Sequence, residues 1–119
     1  MNTAADTRLY EYHADMCKVF SHPKRLELIN MLREGEVSAG ELGQRLGISP
    51  ANLSQHLTMM KERRILMSRK EGNAVYYRVS SPRLLEAFDI LRGVLLEQLR
   101  RDADLVQQVT YWREVAWHS

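Results

Sequence analysis

The sequence predicts a mainly α-helical chain with a small β-hairpin, in the order α-α-α-α-β-β-α. Apolar residues recur at helical spacing up to residue 63 and again from residue 82, whereas the stretch between Ile65 and Val79 alternates with the period of a strand. A tight turn at Gly47 joins two of the helices directly before the hairpin. Three central helices followed by a two-stranded hairpin are typical of a winged helix-turn-helix.

Length and composition favour one folded domain, which we take to span residues 1–119. Apolar residues make up 45% of the chain and charged residues 27%, as in an ordinary globular domain. No stretch approaches the roughly 18 uncharged apolar residues of a membrane span, and the N-terminal segment lacks the apolar centre of a secretory signal. The single cysteine, Cys17, cannot form an internal disulfide, so we expect a cytoplasmic protein with no membrane partner.

The first two predicted helices are separated by a proline. Helical spacing of apolar residues runs from Thr7 to Phe20, and residues 1–20 are assigned to dimerisation together with residues 82–119. Either Ser21 or His22 then caps a second helix in which Pro23 occupies the first turn. That helix is expected to end near Glu34-Gly35.

Residues 39–63 are predicted to form the helix-turn-helix. The first helix runs from Ala39 to Leu46 and closes at Gly47, and the second begins at Pro50 with Ser49 as its cap and ends near Arg63. Leu53, Leu57 and Met60 form the buried stripe of the second helix. The opposite face is small or hydrogen-bonding and carries no acid: Ala51, Asn52, Ser54, Gln55 and Thr58.

The predicted wing covers residues 65–79. Its strands run from Ile65 to Lys70 and from Ala74 to Val79, around a tip at Glu71-Gly72-Asn73. A long helical pattern follows from Pro82 to Leu99. A weaker pattern from Leu105 to Ala116 is compatible with its continuation or with one further C-terminal helix.

Positive charge is concentrated in the middle of the chain. Residues 45–78 carry seven Lys or Arg against two Asp or Glu, whereas residues 1–44 carry five against seven and residues 79–119 five against six. A basic segment of this kind suits contact with DNA phosphates, because it displaces condensed counterions. A solvated charged face would explain the charge alone, but not the neighbouring acid-free helix face.

Several short motifs with conserved spacing between them carry a family resemblance. They are His22-Pro23-Lys24-Arg25-Leu26, Glu41-Leu42, Leu46-Gly47-Ile48-Ser49, Leu53-Ser54-Gln55-His56-Leu57 and Tyr76-Tyr77. Over about residues 16–80 the chain resembles the ArsR/SmtB family of bacterial repressors. The resemblance implies a homodimer that binds an inverted-repeat operator in double-stranded DNA and represses transcription until an effector releases it. Arg64 departs from the family, which often has glycine before the wing.

The DNA-binding residues can be assigned as hypotheses. Asn52 and Gln55 are suited to bidentate contacts with base edges, and Ser54 and Thr58 to contacts with bases or phosphates. His56 lies beside the buried stripe and is assigned to helix packing or to a phosphate. The remaining predicted contacts are to the DNA backbone from Lys61, Arg69 and Lys70, and to a minor groove from Asn73.

Apolar positions on the first and last helices predict the dimer independently of the resemblance. A monomer would expose Leu9, Met16 and Phe20 at one end and Phe88, Leu91, Leu95 and Leu99 at the other. Pairing about a two-fold axis would cover such a patch.

The effector is not identified by the sequence. At the positions where the resemblance would place metal ligands, the chain has Ser38, Gly40, Ser81, Arg83, Val94 and Glu97. Only Glu97 matches a ligand of the family, so no metal and no cofactor is expected. His13 and Cys17, four residues apart on the first helix, are the candidate effector residues, with His118 as a third ligand. Packing of Cys17 in the core is the favoured alternative. The class of effector stays open between a metal, a redox species and a small molecule, and the aromatic tail from Val109 to Trp117 is assigned to the dimer interface or to an apolar ligand.

Two other classes of function compete with that of a DNA-binding regulator. The four histidines have no catalytic spacing and the chain lacks a glycine-rich phosphate loop, so it is not predicted to be an enzyme. A winged helix used as a protein-interaction module, without DNA binding, is the stronger alternative. The basic segment and the acid-free face argue against it.

Overall fold

The computed structural model describes residues 3–100, which form two compact units that divide between Ser81 and Pro82. The first unit contains four helices, one 3-10 turn and a small sheet. In chain order these elements are α1 (Ala4–Cys17), the 3-10 turn (Lys18–Ser21), α2 (Pro23–Met31), β1 (Val37–Ser38), α3 (Ala39–Leu46), α4 (Pro50–Glu62), β2 (Leu66–Glu71) and β3 (Ala74–Val79). The second unit contains α5 (Pro82–Leu99). The predicted mainly α fold with a winged helix-turn-helix is confirmed.

The bounds of α1 differ from the predicted Thr7–Phe20. The helix begins one turn earlier because Thr3 and Asp6 form a capping box, in which the Asp6 amide donates to Thr3 Oγ1 and the Thr3 amide to Asp6 Oδ2. It ends at Cys17, and the chain tightens into the 3-10 turn before Pro23. Arg25 holds this turn, since its guanidinium donates to the carbonyl oxygens of Lys18 and Val19 at 3.0 Å.

The next three helices begin at side-chain caps, of which the sequence predicted those of α2 and α4. His22, rather than Ser21, caps α2: its Nδ1 accepts from the Lys24 amide at 3.1 Å. Ser38 caps α3 and Ser49 caps α4, each through Oγ at 3.2 Å from an amide three residues on. The second helix ends earlier than predicted, at Met31, and is followed by turns.

Two glycines set the join between α3 and α4. Gly47 ends α3 in the left-handed region at φ +65°, where a side chain would be strained. A Cβ on Gly43 would lie 3.3 Å from Cδ2 of Leu53, so the absence of a side chain lets the two helices approach closely. The conformation of Gly47 agrees with the helix end predicted there.

The sheet has three strands rather than the two predicted, in the order β1-β3-β2, and all pairs are antiparallel. The added strand is two residues long, with Val37 opposite Tyr77 and Ser38 opposite Tyr76. In the wing, Glu71 pairs with Ala74 around a two-residue turn. Gly72 has a φ of +61° there, as a type II′ hairpin turn requires at its first position.

The core of the first unit lies between its helices and the start of the wing. Seven side chains are fully buried: Val19, Leu28, Ile29, Leu42, Met60, Ile65 and Leu66. Arg64 joins α4 to this core with a φ of +65°, and it is the one non-glycine residue among residues 3–100 with a positive φ. The family's frequent glycine at this position therefore has a backbone reason.

Apolar side chains are exposed on α1 and on α5. In α1, Leu9, Tyr10 and Tyr12 are each more than three-fifths exposed. In α5, the exposed set is Ile90, Leu91, Val94 and Leu95. The prediction that Phe88 belongs to the exposed set is wrong: Phe88 is buried, and the guanidinium of Arg92 lies 4.2 Å from its ring centre.

Several predictions fall beyond the described residues. The aromatic tail from Val109 to Trp117, the weaker helical pattern from Leu105 to Ala116 and the third candidate ligand His118 all lie outside residues 3–100. In the part of the chain that is described, no helix has the length and apolar character needed to cross a membrane.

Candidate nucleic-acid interface

The outer face of α4 presents the side chains that the sequence assigned to DNA bases. Asn52, Ser54, Gln55 and Thr58 are all exposed, while Leu53, Leu57 and Met60 are buried on the opposite face. The first turn of α4 contains no acidic residue, so the positive end of the helix dipole is not neutralised there. This face is therefore an uncharged, hydrogen-bonding surface at the positive end of an exposed helix.

His56 lies at the edge of that face and contacts α2. Its ring centre is 4.6 Å from that of His22, the residue that caps α2. Burial lowers the pKa of His56 below its ordinary value of 6.5, and the nearby His22 and Arg25 lower this pKa further. The neutral ring is favoured in this contact, which links the recognition helix to the start of α2.

The wing carries one cation with an unengaged side chain beside its tip. Lys70 is exposed near the end of β2, and within residues 3–100 its ammonium group forms no ion pair or hydrogen bond. Asn73 is exposed at the turn itself. Both are positioned by the β2–β3 ladder, in which Lys70 lies opposite Val75.

Arg69 precedes Lys70 but has a different environment. Its Nε donates to both carboxylate oxygens of Glu36, at 2.9 and 2.7 Å, and its Nη1 donates to Glu71 at 2.7 Å. Its guanidinium also lies 4.8 Å from the ring centre of Tyr76. The hydrogen bonds that Arg69 donates to Glu36 and, to a smaller extent, to Glu71 raise the pKa of Arg69. Arg69 in turn lowers the pKa of Glu36. Glu36 lies in the loop before β1 and outside every sequence motif, so this contact could not be predicted from the sequence.

The end of α4 is tied to its neighbours by two further cations. Lys61 Nζ donates to Ser68 Oγ on β2 at 2.7 Å, which connects the recognition helix to the wing. Arg63, at the C-cap, pairs with Asp15 on α1 at 3.2 Å and is about three-quarters buried. Arg63 therefore connects the recognition helix to α1.

The candidate effector residues lie on α1. His13 and Cys17 are both exposed, so the favoured interpretation of Cys17 as a core residue is wrong for the single chain. In residues 3–100, no three His, Cys, Asp or Glu side chains come together in a group that could hold a metal ion.

Comparison with known proteins identifies the family. The model of the family described as bacterial regulatory protein, arsR family, matches residues 22–68. The uncharacterized HTH-type transcriptional regulator Rv0081 of Mycobacterium tuberculosis is 33% identical over 92 residues, which cover 76% of this chain and 81% of the relative. Its crystal structure matches with a TM-score of 0.73 and 31% identity, over 80% of this chain and 96% of that chain.

Two further proteins are similar, one in sequence and one in fold. The biofilm growth-associated repressor of Xylella fastidiosa is 35% identical over 71% of this chain and 75% of the relative. A homodimeric winged helix-turn-helix DNA-binding domain of Mycobacterium bovis, Mb0332, matches in fold with a TM-score of 0.77 at 22% identity, over 84% of this chain and 93% of that chain. The chain therefore belongs to the arsR family of bacterial regulatory proteins and is a transcriptional regulator with a winged helix-turn-helix fold.

Proposed function

We propose that the protein is a homodimeric repressor that binds an inverted-repeat operator in double-stranded DNA and is released from it by an effector. The observation that carries this proposal is the exposed, acid-free face of α4 beside the basic wing. An α-helix with such a face fits the major groove, and a neighbouring hairpin can contact the flanking backbone. We place this activity in the cytoplasm, where a bacterial regulator meets its operator.

Base recognition is assigned to two amides of α4. Gln55 and Asn52 each offer an acceptor and a donor, the combination that reads N6 and N7 of adenine. Ser54 and Thr58 lie on the same exposed face and are assigned to bases or nearby phosphates. His56 is assigned to support of the helix through His22, which leaves its role as a phosphate ligand secondary.

The backbone contacts are ranked by how engaged each cation already is. Lys70 is the main phosphate contact, because no carboxylate in the described chain neutralises it. Lys61 would have to share its ammonium group with Ser68. Arg69 is paired with Glu36 and Glu71, so its principal role is to hold the wing, and Asn73 approaches the minor groove.

Homodimerisation is supported by the exposed apolar residues of the first and last described helices. Leu9, Tyr10 and Tyr12 on α1 and Leu91 and Leu95 on α5 are large apolar side chains that a partner would cover. Mb0332 is described as a homodimer. A two-fold axis would set two α4 helices roughly one turn of DNA apart, which an inverted repeat matches.

Repression is supported by the Xylella fastidiosa relative, which is named as a repressor. Release by an effector follows from the resemblance to the family, and His13 and Cys17 are the candidate effector residues on α1. The competing proposal is a winged-helix module that binds a protein and no DNA. It predicts no salt-dependent affinity for duplex DNA.

Selection from a random duplex pool tests the proposal. The full-length protein is incubated with the pool, and the bound duplexes are amplified and sequenced. We expect an inverted repeat with half-sites about one helical turn apart, and scrambling one half-site should weaken binding measured by fluorescence anisotropy. Enrichment of a single, unrepeated site would refute the dimeric mode, and a pool that is never retained at low salt would favour the protein-interaction module.

A further inference from the structure

A groove of about 540 Å³ lies within the first unit, between α3, the first half of α4 and strand β3. Gly40 and Gly43 of α3 line one side, and Leu53 and Ser54 of α4 line another. Tyr77 of β3 lines the third side. The volume falls in the range of about 300–1,000 Å³ that is usual for small-molecule sites.

The lining of the groove is mostly apolar and carries no carboxylate and no basic side chain. Its polar members are Gln44, Ser54 and the hydroxyl-bearing Tyr77, against a larger number of apolar residues and glycines. Glu41 and Arg45, which follow the lining residues Gly40 and Gln44 in α3, pair with each other along that helix. A charged ligand would lose its hydration in this groove without gaining an ion pair, whereas a neutral one would not.

We propose that this groove binds the effector, and that the effector is a neutral, largely apolar small molecule with one or two hydrogen-bonding groups. The inference deepens the proposed function, since it rests on release from DNA by an effector. It replaces the assignment of the effector to His13 and Cys17 on α1, which belong to no group of three side chains within residues 3–100 that could hold a metal ion.

The groove lies where a bound molecule would alter the placement of α4, the helix assigned to base recognition. The contact between Gly43 and Leu53 fixes how closely α3 and α4 approach, and both residues line the groove. Tyr77 pairs with Val37 of β1 and with Ser68 of β2. It therefore lies on β3, the central strand of the sheet and one of the two strands of the wing. A ligand that displaces Leu53 or Tyr77 changes the placement of α4 relative to α3 or to the wing. DNA that requires one placement would then bind more weakly.

Filling the groove from its own wall tests the site without DNA. A Cβ added at Gly40 meets no neighbouring atom within 4 Å, so a leucine side chain fits there without a steric clash. Leucine also has a high helix propensity. Glu34→Leu adds a leucine to an exposed position after α2, outside the helices assigned to dimerisation, and is the matched control. The probe is N-phenyl-1-naphthylamine, a neutral aromatic amine whose fluorescence rises in apolar sites.

We expect the probe to bind the wild-type protein and Glu34→Leu alike, and Gly40→Leu about tenfold or more weakly. Equal binding to all three proteins would show that the probe occupies another apolar surface, such as the exposed face of α5, and would overturn the proposal. Thermal unfolding of each variant establishes that it is folded. Amide chemical shifts give a second measurement on the wild-type protein: the probe should perturb Gly40 and Gly43, and perturbation confined to α1 or α5 would contradict the assignment.

The link to DNA is tested with the selected operator. The probe should lower operator affinity of the wild-type protein by about fivefold or more and leave that of Gly40→Leu unchanged. If Gly40→Leu loses probe binding but the probe does not change the operator affinity of the wild-type protein, the effector role is refuted, although the groove still binds the probe. Failure of all the proteins to bind DNA would refute the proposed function instead, and probe binding would still report on the groove.

Discussion

Arg69 Nε lies 2.7 Å from a carboxylate oxygen of Glu36, so the arginine of the wing that the sequence assigned to DNA is already paired within the chain. Glu71 engages the same guanidinium from the other side, and Tyr76 lies beneath it. Lys70, the next residue along the strand, has no such partner among residues 3–100. Adjacent cations on one strand therefore have different roles: Arg69 holds the wing against the loop before β1, and Lys70 is available to a phosphate.

Substitution of these two residues separates the roles. Lys70→Ala should weaken binding to all duplexes alike and reduce the slope of log affinity against log salt by about one per protomer, because one phosphate contact is lost. Arg69→Ala should change that slope by less than Lys70→Ala does. The measurement is fluorescence anisotropy with a labelled duplex across a salt series. A larger change of slope for Arg69→Ala than for Lys70→Ala would contradict the ranking of the two cations.

Arg64 offers a test of backbone strain. Its φ of +65° is unfavourable for a residue with a side chain, so Arg64→Gly should raise the free energy of unfolding by about 0.5–1 kcal/mol. The neighbouring Arg63→Gly is the control, since Arg63 has a φ of −89° and pairs with Asp15. That variant should be destabilised. Urea unfolding measures both, and a loss of stability in Arg64→Gly as large as that in Arg63→Gly would refute the strain argument.

His56 should make stability depend on pH in a defined direction. Burial, His22 and Arg25 lower its pKa below 6.5, so the folded protein binds fewer protons at this site than the unfolded chain does. Unfolding then takes up a proton, and stability is present above about pH 6.5 and is lost as the pH falls through the lowered pKa.

The corresponding experiment compares the wild-type protein with His56→Gln. Between about pH 7.5 and 5.5, which brackets the ordinary histidine pKa, the wild-type protein should lose more free energy of unfolding than the variant does. Urea unfolding at both values gives the difference. Parallel losses in the two proteins would show that the contact between His56 and His22 does not control this titration.

Local signals in the sequence were sufficient for most helix bounds. Ser38 and Ser49 mark helix starts through hydrogen bonds from amides three residues away. Pro50 marks the start of α4 through its fixed φ, and Gly47 marks the end of α3 through its own backbone conformation. The same holds for the turn at Gly72. Such features can be predicted from the sequence because both partners lie within a few residues of each other.

Contacts between residues far apart in the sequence could not be predicted from it. The two-residue strand β1 is too short for a periodic pattern and exists because Val37 and Ser38 pair with β3 about forty residues later. The ion pairs Glu36–Arg69 and Asp15–Arg63 span 33 and 48 residues, and neither carboxylate lies in a motif. For the candidate site, the face of α4 was predictable from helical periodicity, whereas the engagement of Arg69 and Lys61 required the fold.

Base recognition by Gln55 is tested most directly by one ratio of affinities. The ratio compares affinity for the selected operator with affinity for the same duplex after one half-site base pair is exchanged, for the wild-type protein, Gln55→Ala and the exposed control Gln98→Ala. If Gln55 reads a base, the ratio at its base pair should fall by about fivefold or more in Gln55→Ala, with binding to random DNA unchanged and Gln98→Ala like the wild-type protein. An undiminished ratio in Gln55→Ala at every base pair of the half-site would contradict the assignment of α4 as the helix that reads DNA through Gln55.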